Sequence, residues 1–371
     1  IYLTSLIFNK IGLSATEIGF GFTLSAIVGT LTRIVTGSFL NKHKNIELPL
    51  TISSLLSIVS SLFLVFSKDT FSYTIGQSLI GAAAGIYWPT VELAVPLLCS
   101  PIDTSKAYAL VRSSEALGIF LGVFLGTLLN SLVFFKSIYF NDIICMIFII
   151  ILVSRNKKMI SLALDNYEII KSNEFITANR KWHKNTKLII ISIILLTTCL
   201  ALIQVTLPLD FVKGGILREP ITKNLTSYII SSQLILLFIL QWPIGNWLTN
   251  KGRLFGIKFS LINFCICTFL LFLSNYFSIL GFYLMLIAII FCSIGISSFL
   301  PTSTDIVFRI APENKKGFAL AILSQCFAIG YFIGPLISGK ILDYFGNASI
   351  IWIVISLSCL SISIALYKKD Y

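Results

Sequence analysis

The sequence predicts an all-α membrane protein of twelve helices, the first of them truncated. Only 12 % of the 371 residues are charged and 56 % are apolar, whereas a soluble domain carries roughly 25 % charged residues. The apolar residues fall in blocks of about 20, the length at which a helix crosses a hydrocarbon core roughly 30 Å thick. No block shows the alternation of barrel strands, and a bilayer admits only helices and closed barrels as spanning forms.

Eleven blocks are long enough to span a bilayer, and one is a remnant. They are predicted at residues 15–40, 48–67, 71–99, 106–133, 138–154, 187–210, 223–248, 255–274, 278–308, 316–342 and 347–367, with residues 1–8 as the remnant. The chain opens on Ile1 rather than Met, without the basic segment that precedes the apolar stretch of a signal peptide. We therefore expect the start of the first helix to be missing.

Lysine and arginine residues concentrate in alternate loops, above all in the long polar stretch 155–186. By the positive-inside rule these loops face the cytoplasm, and so does the C-terminus. The net charge of +12 is then a consequence of topology, and nucleic-acid binding is not expected. The same stretch divides the chain into two predicted domains, an N-terminal bundle at 1–154 and a C-terminal bundle at 187–371, joined by a cytoplasmic linker.

The two predicted bundles repeat each other. Three features recur in the same order, 208 to 212 positions apart, and an ordered recurrence at one offset indicates an internal duplication. The matched positions are Gly37 with Gly245, Pro89 with Pro301, and Gly118 with Gly330.

The chain resembles the major facilitator superfamily of secondary transporters. In that family the loop after the second helix reads Gly-x-x-x-Asp-Arg-x-Gly-Arg, with a degenerate copy after the eighth helix. The retained positions here are Gly37 and Lys42 in the first copy and Gly245, Gly252 and Arg253 in the second. Asn41 and Thr249 stand where the family has Asp. The resemblance implies two pseudo-symmetric six-helix bundles.

Glycines in the fifth and eleventh helices resemble a second pattern, Gly-x-x-x-Gly-Pro-x-x-Gly-Gly, of the family's drug–proton antiporters. The corresponding residues are Gly118, Gly122 and Gly126 in the fifth helix and Gly330, Gly334, Pro335 and Gly339 in the eleventh. Small residues four apart let helices pack closely in lipid. Ordinary packing and a role in gating are both open interpretations of these glycines.

Charged residues inside the apolar blocks need a partner or a function, because each costs about 2.5–3.5 kcal/mol to insert. Glu92 of the fourth helix is expected at the same depth as Arg112 and Glu115 of the fifth, which predicts an ion triad in the cytoplasmic half. A structural ion pair, a cytoplasmic gate and a proton-coupling carboxylate are the three possible roles. Glu115 is the better candidate for the last, because it is deeper and burial favours protonation of an acid.

Other charged residues lie nearer the helix ends. Asp305 and Arg309 are four residues apart near the cytoplasmic end of the tenth helix, where a local surface pair is expected. Arg33 can extend to the headgroups and is interpreted as an anchor or a gate. Asp210 lies near the external end of the seventh helix, where solvation is expected.

A central cavity would be lined by aromatic and amide side chains, which suit a ligand of mixed polarity. The candidates are Tyr87, Trp88, Glu115, Gln204, Gln233 and Gln241. Helix packing is the alternative role for each of them.

The resemblance implies a transporter that moves a small organic solute by alternating access, most simply by proton-coupled efflux. Uptake of a sugar or organic acid, and a receptor or scaffold without transport, are the alternatives. We expect no enzymatic activity, cofactor or metal, because the eight cysteines are scattered and both histidines lie in loops. The expected partners are the solute, protons and lipid, and the expected location of a monomeric chain is the cytoplasmic membrane of a bacterium.

Overall fold

The computed structural model describes residues 2–43, 45–98, 104–131, 136–158, 160, 186–249, 251, 253–310 and 316–367, at several of them without the side chain. This part of the chain forms twelve helices and no strand. The helices are α1 (Tyr2–Ile11), α2 (Ala15–His43), α3 (Glu47–Phe66), α4 (Thr70–Leu98), α5 (Thr104–Ser131), α6 (Ser137–Arg155), α7 (Thr186–Lys213), α8 (Lys223–Thr249), α9 (Arg253–Ser274), α10 (Ile279–Ile310), α11 (Lys316–Phe345) and α12 (Ser349–Tyr367).

The predicted apolar blocks coincide with these helices to within three residues at either end. Within the described residues nine helices, α2, α3, α6 and α7 to α12, are long and apolar enough to cross a membrane. A shorter apolar segment, Ser113–Gly126, lies inside α5. Eleven complete spans were predicted. The two that are not among the nine, α4 and α5, include residues whose side chains lie outside the described part, so these two spans stay predictions.

Contacts between described residues define two compact units. The larger unit contains the described residues within 1–20, 112–135 and 179–371, and the smaller unit those within 21–111 and 136–178. The predicted domain boundary in the linker 155–186 stays a prediction, because residues 161–185 lie outside the described part.

Helix α7 forms the core of the larger unit. Every residue from Cys199 to Phe211 is buried, so neighbouring parts of the protein surround this segment of α7. α11 and α1 pack directly on α7, while α9 packs between α10 and α12.

The smaller unit is organised around α3, which packs on α4 and α6. α3 turns a face of small hydroxyl residues inward: Ser53, Ser54, Ser57, Ser60 and Ser61 are all buried. The Ser60 hydroxyl donates a hydrogen bond to the Gly76 carbonyl of α4, at 2.7 Å. Small residues let two helices pack closely, and a hydroxyl that donates to the backbone of the neighbouring helix stabilises the pair where lipid provides no hydrophobic driving force.

Candidate functional site

A polar seam joins α7 and α11 in the larger unit. The Tyr331 hydroxyl donates a hydrogen bond to Gln204 Oε1, and Thr206 Oγ1 donates to Ser338 Oγ at 2.6 Å. Gln204 was predicted to line a cavity. Its side chain is only 9 % exposed and is hydrogen-bonded to α11. Gly330, a member of the predicted glycine pattern, allows α7 and α11 to approach this closely, because a Cβ at this position would lie 2.6 Å from Thr197 Oγ1.

The two amides predicted on the eighth helix are buried. Gln233 Nε2 donates to Cys292 Sγ of α10 at 3.1 Å. The backbone carbonyl of Gln233 accepts a hydrogen bond from Ser293 Oγ at 3.2 Å. The buried Oε1 of Gln233 has no hydrogen-bond partner. Gln241, two turns further along α8, is 6 % exposed. Gln233 therefore links α8 to α10, while the role of either residue at a cavity stays a prediction.

Arg33 of α2 and Glu92 of α4 interact electrostatically within the smaller unit, and both are half-buried. Glycines bring their helices together: a Cβ at Gly29 would lie 2.9 Å from the Gly81 carbonyl oxygen. Thr32 Oγ1 donates across the same contact to the Ala82 carbonyl at 3.2 Å. Glu92 thus lies within electrostatic range of the Arg33 guanidinium of α2, a proximity that the sequence did not predict.

Of the predicted ion triad, the structure describes the side chains of Glu92 and Glu115. Glu115 is half-buried on α5 and takes part in a polar interaction. The side chains of Arg112, Asp305 and Arg309 lie outside the described part of the chain. The triad and the local pair on α10 therefore stay predictions.

Tyr87 and Trp88 pack edge to face on α4. Their ring centroids are 5.5 Å apart and their planes meet at 82°, a favourable geometry for two aromatic rings. Both side chains are half-buried, so the pair presents aromatic surface within the smaller unit.

Four glycines of the predicted loop and helix-packing motifs have no close neighbour among the described residues. Among the described residues, nothing comes within 4 Å of a Cβ built at Gly37, Gly245, Gly118 or Gly122. Gly252 and the side chains of Asn41, Lys42 and Arg253 lie outside the described part. The α11 glycines differ, because Gly330 meets α7 and Gly339 meets α2 at backbone distance.

Asp210 is fully buried, which corrects the expectation that it is solvated. Its Oδ2 lies 3.2 Å from an Arg218 guanidinium nitrogen and accepts a hydrogen bond from Trp352 Nε1 at 3.1 Å. Arg218 also donates to Ser274 Oγ at 2.7 Å. The loop after α7 folds back over its own helix end and excludes water from the pair.

Asp343 forms a second cluster that sequence reasoning missed. Its carboxylate lies 2.8 Å from Lys213 Nζ of α7 and accepts hydrogen bonds from the backbone nitrogens of Thr16 and Ala15, at 2.7 and 3.2 Å. A lone acid near the end of an apolar helix was the available signal. Its partners lie more than 120 residues away in the chain, so local spacing could not identify them.

A third missed carboxylate, Asp142 of α6, binds the serine face of α3. Ser57 and Ser61 donate to its Oδ2 at 3.0 and 2.7 Å. Before α6, Lys136 Nζ donates to the Val65 carbonyl at 2.8 Å and to the Ser67 carbonyl. Burial, and then repulsion by Lys68, lower the pKa of Lys136. These contacts fix the end of α3 against the start of α6.

No group of three or more His, Cys, Asp and Glu side chains that could hold a metal ion occurs in the described ranges. The Cys199 and Cys359 sulfurs lie 3.8 Å apart between α7 and α12, with the buried thiols of Cys267 and Cys292 nearby. Such thiols pack as small apolar groups.

The family model of the Major Facilitator Superfamily matches residues 1–216 and 189–371. The chain belongs to the Major Facilitator Superfamily. The predicted family and the all-helical fold are thereby confirmed. Members of this superfamily are membrane transporters and not enzymes.

Two relatives are similar in sequence to parts of this chain. One is the multi-drug resistance efflux pump PmrA homolog of Lactococcus lactis subsp. lactis (strain IL1403), 32 % identical over 71 residues, which cover 19 % of this chain and 18 % of the relative. The other is the riboflavin transporter RibZ of Clostridioides difficile (strain 630), 34 % identical over 113 residues, or 30 % of this chain and 23 % of the relative. The matches thus span less than a quarter of either relative's length.

The solved structure of a D-xylose–proton symporter has the same fold. It aligns with a TM-score of 0.73 over 97 % of this chain and 93 % of its own. The sequence identity is 14 %, so the likeness concerns the fold alone.

Proposed function

We propose that the chain exports a small organic solute in exchange for protons, by alternating access. The observation that carries the proposal is the close approach of α2 and α4 at Gly29 and Gly81, which brings Glu92 within electrostatic range of Arg33. Ionisable residues at such positions are costly and mark substrate or proton pathways. A carboxylate opposite a guanidinium has two states, paired when ionised and released when protonated.

Proton binding at Glu92 would act on α2 and α4 as a two-state switch. Neutralising Glu92 removes the attraction that Arg33 experiences, so the proton favours whichever arrangement of the helices separates them. A solute that binds one arrangement better is then coupled to the proton by the same free energy. Glu115, deeper in α5, is the second candidate for the proton site.

Export is supported by two observations. The glycine pattern of α5 and α11 resembles that of the drug–proton antiporters, and one relative is named as a multidrug efflux pump. The aromatic pair of Tyr87 and Trp88 suits an amphipathic organic solute. We also propose that the chain is a monomer in the cytoplasmic membrane of a bacterium. The basic loops support a cytoplasmic position of its C-terminus.

Transport of a planar heterocyclic nutrient is the second candidate. It is favoured by the match to a riboflavin transporter, which covers more of this chain than the match to the efflux pump. Edge-to-face aromatic residues such as Tyr87 and Trp88 can bind a flat ring as well as an amphipathic cation.

Inside-out membrane vesicles with an acidic lumen test the direction of transport. A proton-driven exporter accumulates a cationic amphipathic dye in the lumen, and a protonophore abolishes the accumulation. Riboflavin and a sugar should be assayed in parallel, in vesicles of both orientations. Riboflavin uptake into right-side-out vesicles would favour the second candidate. Dye accumulation that does not depend on the proton gradient would contradict proton-driven export, and the absence of transport of every solute would contradict both candidates.

A further inference from the structure

We infer that Asp343 is a latch that holds the start of α2 against α7 and α11 at the predicted external end. The latch must release whenever the protein opens to that side. The inference depends on the proposed function in one respect, since alternating access requires an outward opening. It does not depend on the solute, the coupling ion or the direction of transport.

The carboxylate of Asp343 caps a helix that comes from the other half of the sequence. It accepts hydrogen bonds from the Thr16 and Ala15 nitrogens, at 2.7 and 3.2 Å, and from Thr16 Oγ1 at 2.6 Å. Ala15 and Thr16 are the first residues of α2. The first N–H groups of a helix have no intrahelical partner and carry partial positive charge, so an anion there is stabilising.

Lys213 brings α7 into the same cluster. Its ammonium lies 2.8 Å from Asp343 Oδ1 and donates to the Leu342 carbonyl at 3.0 Å. The Lys213 and Asp343 side chains are 27 % and 28 % exposed, whereas those of Arg218 and Asp210 are 2 % and 0 % exposed. Water can therefore replace the contacts of Asp343 when the helices part, which it cannot do for the buried pair.

The helix surfaces behind Asp343 are smooth. A Cβ at Gly339 would lie 2.5 Å from the Ala15 carbonyl oxygen, and a Cβ at Gly19 would overlap the Pro335 carbonyl oxygen. Backbone therefore meets backbone at both points. The polar contacts of Asp343 add a directional attachment of the start of α2 to α11.

The latch lies at the surface of the larger unit. A shallow depression of about 590 Å³ lies beside it and is lined by Thr16, Lys340, Ile341, Asp343, Tyr344 and Phe345. The nearby acid Glu17 is engaged with Ser14, at 2.8 and 2.9 Å, so it does not replace Asp343 as the partner of the α2 backbone.

Accessibility of a buried reporter on α11 tests the latch. Ser338 is 2 % exposed and lies five residues closer to the membrane interior than Asp343. In full-length protein with all eight cysteines replaced, Ser338→Cys is labelled by a membrane-impermeant maleimide added at the predicted external face. Adding Asp343→Asn should raise the labelling rate by roughly tenfold, because an amide cannot match charge-assisted hydrogen bonds. Asp343→Glu, which keeps the charge, should restore slow labelling.

Asp142→Asn is the matched control, because it neutralises another partly buried carboxylate that accepts hydrogen bonds from hydroxyl groups. It should leave Ser338→Cys labelling unchanged. Equal acceleration by both neutral variants, or no acceleration by Asp343→Asn, would overturn the latch. Thermal unfolding of each variant in detergent excludes loss of fold as the cause of labelling. Because labelling needs no transport, failure here leaves the proposed function intact, and failure of proton coupling leaves the latch intact.

Discussion

Two acids near the end of α7 show how differently single carboxylates are used. Asp210 forms a fully buried ion pair with Arg218. Asp343 binds Lys213, which is three residues beyond Asp210, and this second pair is partly exposed. The loop after α7 makes the difference. Gly214, at φ 86°, turns the chain back, and the Ile221 nitrogen donates to the Phe211 carbonyl at 2.9 Å.

Breaking the buried pair should be far more damaging than removing it. Arg218→Met leaves Asp210 charged and buried, and we expect a loss of about 3–5 kcal/mol in the free energy of unfolding. The double variant Asp210→Asn with Arg218→Met should recover most of that loss, because no uncompensated charge remains. Denaturant unfolding in detergent micelles measures both.

Lys213→Met provides the comparison for an exposed pair, and its cost should stay within about 1 kcal/mol. A double variant as unstable as Arg218→Met alone would show that the charge of Asp210 is not the cause of the loss.

At the scale of whole helices, the closest approaches lie partly outside the predicted glycine motif. Gly29, Gly81 and Gly85 bring α2 and α4 into backbone contact, whereas Gly118 and Gly122 of α5 meet nothing within 4 Å among the described residues. A spacing pattern identifies the small face of a helix. It does not identify which neighbouring helix packs on that face, because that depends on tertiary arrangement.

Two alanine substitutions on different helices test this distinction. Gly29→Ala places a methyl group 2.9 Å from the Gly81 oxygen and should lower stability by about 1–3 kcal/mol, because the helices must move apart. Gly118→Ala should be neutral or stabilise by about 0.4–1 kcal/mol, because it restricts the unfolded chain. Thermal unfolding of the two variants separates them, and equal losses would contradict the described packing.

The helices themselves were predictable from the sequence, because bilayer thickness fixes how long an apolar block must be. The partners across helices were not. Gln204 was expected to face a ligand, but nothing in the spacing relates it to Tyr331 of α11. Glu92 was expected to pair with α5, and its interaction with Arg33 depends on α2 and α4 meeting at their glycines.

In the molecule as a whole, α2 takes part in both proposed devices. Thr16 in its first turn binds Asp343, and Arg33, more than four turns further along the same helix, interacts with Glu92. The proposed proton site and the proposed latch therefore share one helix.

Proton flux driven by a solute gradient tests the proposed exchange of solute and proton most directly. Liposomes containing the purified protein are loaded with the transported solute and a pH-sensitive dye, and are then diluted into solute-free buffer. Solute exit should acidify the interior, because each exported molecule admits protons. Glu92→Gln should abolish acidification while still exchanging labelled for unlabelled solute. Solute exit that leaves the internal pH unchanged or makes it alkaline, or normal acidification by Glu92→Gln, would contradict proton exchange through Glu92.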